Sequence, residues 1–184
     1  MQLQSLHRRD DRTTLHDDLC RWLHERERPS WVGMDVAIVH TDPRHPIRLE
    51  LHADVAVAID ASPHARARWL VDREHRNVDV VFLLAGENRL AALTTAARHV
   101  ERGVSEAFVF DAHAGAAWGF RRSEARVDAI PITSNGALRS RLLCADVVAR
   151  GGRLRLSAVA TQELHEVLDR IDRALTRIAE RRAS

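Results

Sequence analysis

Residues 77–111, NVDVVFLLAGENRLAALTTAARHVERGVSEAFVFD, contain the pattern that most constrains the fold of this chain. The segment 78–85 is a short apolar run rich in β-branched residues, which is typical of a strand buried on both faces. Asn88 can cap a helix over residues 89–102, whose apolar residues recur at helical spacing, and residues 104–110 form a second apolar segment. A strand–helix–strand unit of this length predicts a right-handed parallel crossover.

A helix and three strands are predicted before this unit, and a meander of shorter strands after it. The helix is expected to run from Thr13 or Thr14 to about residue 27, because its apolar residues form one stripe and Pro29 follows it. The strands are expected at 31–41, 47–52, 53–60, 115–121 and 125–133, followed by apolar segments at 138–148 and 154–156. These elements predict an α/β domain with a central mixed β-sheet flanked by helices.

The C-terminal segment, residues 160–184, carries a heptad pattern. A helix is expected there because apolar residues alternate at spacings of four and three, the a/d rhythm of a coiled coil. They are Leu164, Leu168, Ile171, Leu175 and Ile178. This narrow stripe needs a partner, which is either the body of the domain or the same helix of a second copy. We therefore expect a flexible N-terminus (1–12), one domain (13–159) and a C-terminal association helix, in a homodimer.

The composition excludes several classes of function. The chain has 184 residues, no tyrosine and no lysine, so it cannot itself supply a lysine ammonium for Schiff-base or phosphate chemistry. The formal net charge of +2 comes from interleaved acids and bases, which does not indicate a surface that coats nucleic acid. No apolar run approaches the roughly 20 residues of a membrane span, and the N-terminus lacks the apolar segment of a signal peptide. We expect a cytoplasmic protein without membrane contact.

Cysteine and histidine spacings give no metal motif. Cys20 and Cys144 are far apart in sequence, so we expect reduced thiols in the core. No histidine shows the HxxxH or CxxH spacing of a zinc site, and the chain has no phosphate-binding or dinucleotide-binding glycine motif. We expect no cofactor from these patterns.

The order of the elements resembles the Uma2 family (DUF820), bacterial candidate endonucleases of the PD-(D/E)XK restriction-endonuclease-like fold. The resemblance covers about residues 14–157. It is most specific in GVSEAFVFDAHAGAAWGF (103–120), where the family has a G-V-P-E-Y-W-V-V-D stretch, and in LRSRLL (138–143). It implies a restriction-endonuclease-like core and metal-dependent cleavage of DNA.

The catalytic residues implied by the resemblance are only partly present. The first acidic residue of the family matches Asp54, although Ala53 stands where the family has proline. The second carboxylate falls at Phe82, or at Leu83 if the register differs by one residue. The basic residue falls at Thr95. Because Mg²⁺ or Mn²⁺ requires several oxygen ligands to hydrolyse a phosphodiester, one carboxylate beside an apolar side chain indicates a degenerate site.

Three functions follow from this pattern. The first is a catalytically inactive, Uma2-like binding or assembly module, either homodimeric or in a heteromer with an active paralogue. The second is an Mg²⁺- or Mn²⁺-dependent DNA endonuclease in which Asp54 holds the metal and Glu87 and His99 complete a rearranged site. The third is a protein that binds nucleic acid without cutting it, through Arg66, Arg68, Arg89 and Arg98. The resemblance and the missing carboxylate favour the first.

Overall fold

A computed structural model of the chain describes residues 2–42, 45–59, 78–124 and 126–159. The two helices are α1 (Gln2–His24) and α2 (Arg89–Glu101). The strands are β1 (Ser30–Asp42), β2 (His45–Ile59), β3 (Val80–Leu84), β4 (Glu106–Asp111), β5 (Ala116–Ser123), β6 (Arg126–Ala129), β7 (Leu138–Ser140), β8 (Ala145–Arg150) and β9 (Arg153–Ala158). Within the described residues, neither helix has the length and apolar character needed to cross a membrane.

The strands form two sheets. The larger sheet has six strands in the order β1-β2-β3-β4-β5-β6, and the smaller has three in the order β7-β8-β9. The β3–β4 pair is parallel, as the crossover through α2 requires, and the pairs on either side are antiparallel. The predicted α/β class with a central mixed sheet flanked by helices is therefore confirmed.

Each face of the large sheet packs against one helix. On one face, Leu15 and Leu19 of α1 pack with alternate residues of the sheet, including Phe82 and Phe108, whose rings stack with centroids 5.2 Å apart. On the other face, Ala96 and Val100 of α2 pack with the residues of opposite parity. Because β3 and β4 are buried on both faces, they read in the sequence as continuous apolar runs rather than as alternating ones.

The predicted strand–helix–strand unit is confirmed in its details. Asn88 caps α2, since its side-chain oxygen accepts a hydrogen bond of 2.9 Å from the N–H of Ala91. Gly103, with φ 115°, follows the helix in a conformation that favours glycine. The unit therefore places the turn between β3 and α2 beside the ends of the central strands.

Two element boundaries differ from the prediction. Helix α1 begins at Gln2, not at Thr13 or Thr14, so the segment predicted to be a flexible N-terminus is helical from Gln2. The predicted strands 47–52 and 53–60 are one strand, β2, because its antiparallel register with β1 continues through Ala53. Within this strand, residues 49–52 alternate between more and less buried side chains, and residues 53–58 are all buried. Residues 61–76, which include Arg66 and Arg68, and the predicted heptad helix lie outside the described residues.

Candidate functional site

A cleft of about 640 Å³ opens between β2, the end of β3 and the first turns of α2. Acidic side chains dominate its charged lining. The acids are Asp35, Glu50, Asp54 and Glu87, and the basic groups are Arg12 and His52. Thr95 of α2 also lines the cleft. The structure therefore brings together three positions that the sequence singled out, namely Asp54, Glu87 and Thr95.

Asp54 is the buried carboxylate of this cleft, with 7% of its surface exposed. Its Oδ2 accepts a hydrogen bond of 2.7 Å from the N–H of Leu84 on the neighbouring strand. Its Oδ1 lies 2.7 Å from Nε of Arg12, which α1 extends over the edge of the sheet. Both carboxylate oxygens therefore have a partner within the chain, one neutral and one cationic.

The same arginine contacts a second carboxylate. Nη1 of Arg12 forms an ion pair with Oδ1 of Asp35 on β1. The β1–β2 register runs from Met34 opposite Val55 to Val36 opposite Ala53, which puts Asp35 and Asp54 at the same level of the two strands. Asp35 itself has φ 51°, a left-handed conformation that aspartate tolerates better than most residues. One guanidinium thus contacts both carboxylates and neutralises part of their combined charge.

The position beside Asp54 on β3 belongs to Leu83. Of the two registers open in the sequence, the structure places Leu83 in the lining of the cleft. Phe82, named above as the degenerate position, instead packs in the core on the α1 face of the sheet. The reason is the alternation of the strand, which sends adjacent side chains to opposite faces. The position on β3 beside Asp54 is therefore Leu83 and not Phe82. Since both residues are apolar, β3 supplies no carboxylate to the cleft.

His99 does not reach the cleft. It is fully buried beneath α2, and its Nε2 lies 3.3 Å from the carbonyl oxygen of His52. Glu87, by contrast, is exposed on the turn that precedes α2 and lines the cleft. The acids that line the cleft are therefore Asp35, Glu50, Asp54 and Glu87, and His99 is not among the lining residues.

The predicted phosphate-binding arginines do not share one surface of the described structure. Arg89 is exposed at the start of α2, and its guanidinium carbon lies 5.4 Å from the centroid of the Trp118 ring. Arg98 is exposed two turns further along α2 and does not line the acidic cleft. Arg66 and Arg68 fall outside the described residues.

A second buried carboxylate, Glu106 on β4, joins the two sheets. It is 3% exposed, its Oε2 accepts a hydrogen bond of 2.5 Å from the hydroxyl of Ser140, and its Oε1 accepts one of 3.0 Å from the N–H of Arg141. Ser140 Oγ in turn accepts from the N–H of Leu143. These residues belong to the two segments on which the resemblance above rests, 103–120 and 138–143. Their contact shows that both serve the same structural junction.

The cysteines correct another expectation. Cys20 and Cys144 are both free and exposed, not buried in the core. Sγ of Cys20 lies 3.7 Å from Nε2 of His16, and Nδ1 of His16 lies 3.1 Å from Oδ1 of Asp17. Partial desolvation, and then the charge of Asp17, raise the pKa of the Cys20 thiol. The thiol therefore stays protonated and is not an activated nucleophile.

Sequence reasoning overlooked Arg12 and the His16–Cys20 pair for different reasons. Arg12 fell in the segment expected to be flexible, and nothing local in the sequence links it to Asp54. The pair, in contrast, was visible as HxxxC, a spacing of i and i+4 on a helix. It is not one of the two histidine spacings considered above.

Comparison with known proteins finds similarity to solved structures. No protein-family model matches the sequence, and no curated protein matches it. The chain is similar to the crystal structure of a candidate nuclease belonging to DUF820 from Anabaena variabilis, with 8% identity and a TM-score of 0.49. The similarity covers 72% of this chain and 70% of that one. DUF820 is the family that the sequence resembles.

Proposed function

We propose that this chain is a Uma2-like protein that keeps a nuclease-like architecture without hydrolysing phosphodiesters, and that it acts as a binding or assembly module. The observation that carries the proposal is the ion pair between Arg12 and Asp54, at 2.7 Å. Asp54 is the residue that the resemblance assigns to the metal. Here its partner is a cation from the chain itself.

The contacts of Asp54 disfavour a hard metal ion. Mg²⁺ binds oxygen ligands at about 2.0–2.1 Å in nearly octahedral geometry and loses its water reluctantly. At Asp54 it would have to displace a guanidinium that already compensates the buried charge, and the N–H of Leu84 occupies the other oxygen. Leu83 then presents a hydrocarbon side chain to the cleft where a second ligand would be needed. These contacts support an inactive site.

The charge of the cleft also disfavours a nucleic-acid backbone. Asp35, Glu50 and Glu87 line it together with Asp54, and Arg12 is already paired with two of these four acids. A phosphate chain entering this cleft would meet net negative charge, which repels it unless cations intervene. A binding or assembly role through another surface therefore fits better than binding of DNA in the cleft.

Incubation of supercoiled plasmid with the full chain and Mg²⁺ or Mn²⁺ tests the proposal. We expect no metal-dependent nicking, and no difference between the wild-type chain and Asp54→Ala. An Asp111→Asn variant serves as a matched control, because Asp111 is a buried strand-end carboxylate outside the cleft. Nicking that requires metal, disappears in Asp54→Ala and persists in Asp111→Asn would overturn the proposal.

A metal-dependent endonuclease is the second candidate, and one observation favours it. Glu50 and Glu87 line the same cleft as Asp54, so three carboxylates, two from β2 and one from the turn before α2, face one space. In this alternative Mg²⁺ or Mn²⁺ replaces Arg12 at Asp54, and Glu87 supplies a second ligand. Glu87→Gln should then abolish nicking as completely as Asp54→Ala does. If the protein is inactive, it does not nick the plasmid, and neither substitution changes that result.

We propose that association uses the heptad helix of residues 160–184 and produces a homodimer. The support is the a/d pattern of the sequence, because that helix lies outside the described residues. Light scattering of a chain truncated after Val159 tests it. The full chain should scatter light as a dimer, with twice its own chain mass, and the truncated chain should scatter as a monomer. Equal stoichiometry in both chains would contradict the homodimer, and a dimer formed only on addition of a paralogue would indicate the heteromer.

A further inference from the structure

The junction between the two sheets brings two arginines together around Glu106. Arg121 on β5 lies directly opposite Glu106 of β4 in the antiparallel register. Arg141 follows β7 of the smaller sheet, and its N–H donates to Oε1 of Glu106 at 3.0 Å. The two arginines therefore flank one buried carboxylate from different sheets, and neither lines the cleft at Asp54.

The guanidinium of Arg121 is held in place but has few acceptors. Its Nη2 donates a hydrogen bond of 3.1 Å to the carbonyl oxygen of Arg139, which fixes the group beside β7. Its Nε is shielded from solvent and has no acceptor among the described residues. Because buried polar groups in folded proteins nearly always have a partner, this donor is a candidate contact for a ligand.

The charges of the two arginines are only partly compensated by the described chain. Neither Arg121 nor Arg141 forms an ion pair there. The acids beside Arg121 in the sheet are Glu106 on β4 and Asp128 on β6. Both oxygens of Glu106 already accept from the Ser140 hydroxyl and the Arg141 N–H. Asp128 is exposed, so solvent and salt screen its charge.

The electrostatics of Arg121 point in the same direction. Burial, and then the charge of Arg141, lower the pKa of Arg121, whereas Glu106 and Asp128 oppose this shift. Since the net shift is downward, the guanidinium charge is unfavourable in this place. An anion between Arg121 and Arg141 would offset both the burial of the charge and the repulsion between the two arginines.

We propose that Arg121 and Arg141 bind the phosphoryl group of a ligand at the junction between the two sheets. Guanidinium groups present parallel N–H donors that match the oxygens of a phosphate. A phosphate monoester carries a charge of about −1.5 to −2 at neutral pH, which suits two guanidinium groups better than the single charge of a carboxylate. This site does not depend on whether the cleft at Asp54 is active.

Calorimetric titration of the full chain with inorganic phosphate, at constant ionic strength, tests the proposal. We expect the wild-type chain to bind phosphate and to bind acetate about tenfold more weakly or less. Arg121→Gln and Arg141→Gln should each weaken phosphate binding about tenfold or more, because each removes charge-assisted hydrogen bonds to the anion. Arg141→Gln keeps the backbone N–H that Glu106 accepts from, so its effect on binding is separate from the structural junction.

Arg98→Gln is the matched control, because Arg98 is also an exposed arginine but lies on α2, which covers the opposite face of the large sheet. The control should bind phosphate like the wild-type chain, and urea denaturation verifies that each variant is folded. Phosphate affinity that is unchanged in Arg121→Gln or in Arg141→Gln would overturn the proposal. So would an equal loss in Arg98→Gln, acetate binding as tight as phosphate binding, or a wild-type chain that binds no phosphate.

Discussion

Asp54 and Glu106 are both buried carboxylates of the central sheet, but their surroundings differ. Asp54 opens on a cleft, and a guanidinium from α1 compensates its charge. Glu106 lies between the two sheets, and it accepts hydrogen bonds from the hydroxyl of Ser140 and the N–H of Arg141. The first carboxylate is held by a cation from a distant segment and by the N–H of Leu84, and the second by hydrogen-bond donors of one tight turn.

The two sets of partners predict different contributions to stability. Glu106 accepts from a hydroxyl and an N–H at the end of β7, and its removal leaves both donors without that acceptor. A carboxylate paired with a partly exposed arginine contributes less, since solvent screens the pair. We therefore expect Glu106 to matter chiefly for stability, and Asp54 to matter less than its burial suggests.

The largest effect is expected for Glu106→Ala. The substitution leaves the Ser140 hydroxyl and the Arg141 N–H without their acceptor, so unfolding should become easier by about 3 kcal/mol. Glu106→Gln keeps the shape and one acceptor, and it should lose about half as much. Urea denaturation followed by tryptophan fluorescence measures both. A loss below about 1 kcal/mol in the alanine variant would remove the distinction between the two carboxylates.

A smaller effect is expected for Asp54→Ala. The substitution leaves the N–H of Leu84 without its acceptor, whereas Arg12 keeps Asp35 as a partner, so the loss should be about 2 kcal/mol. Asp54→Asn can still accept from Leu84 and should lose about 1 kcal/mol. The same urea titration applies. If Asp54→Ala destabilises more than Glu106→Ala does, the ion pair is stronger than a partly exposed pair should be.

The smallest effects are expected on the cation side of the pair. Arg12→Ala should lose about 1 kcal/mol, because the arginine is 22% exposed and its contact with Asp54 is partly screened. Asp35→Asn is the matched control, since asparagine tolerates the left-handed φ of 51° and removes only the charge. It should change the stability by less than about 0.5 kcal/mol. Equal losses in the two variants would mean that Asp35, and not Asp54, is the principal partner of Arg12.

The sequence was informative where structure depends on local pattern. The β3–α2–β4 unit was predicted because its strands are apolar on both faces, and because Asn88 and Gly103 bound the helix between them. The division of β2 was wrong because burial alternates over residues 49–52 and is continuous over residues 53–58, so one strand shows two patterns. A change of burial along a strand thus resembles a break between strands.

The site was less predictable because its contacts join distant segments. Asp54 and Thr95 were singled out through the resemblance and Glu87 as part of a rearranged site, and the structure brings all three to one cleft. The register of Leu83 and the burial of His99 depend on strand pairing and helix rotation, which the local sequence leaves open. Arg12 could not be found at all, since the pairing of a helix arginine with a strand carboxylate requires the tertiary fold.

Helix α1 gives the N-terminus a late role in the synthesis of the chain. The helix is translated before the strands, yet the indole N–H of Trp22 donates to the carbonyl oxygen of Leu143, and the helix packs beside β9 as well as beside β1 and β2. The contacts with Leu143 and β9 can form only after these late segments have emerged, whereas the partners of Arg12 lie on the early strands β1 and β2.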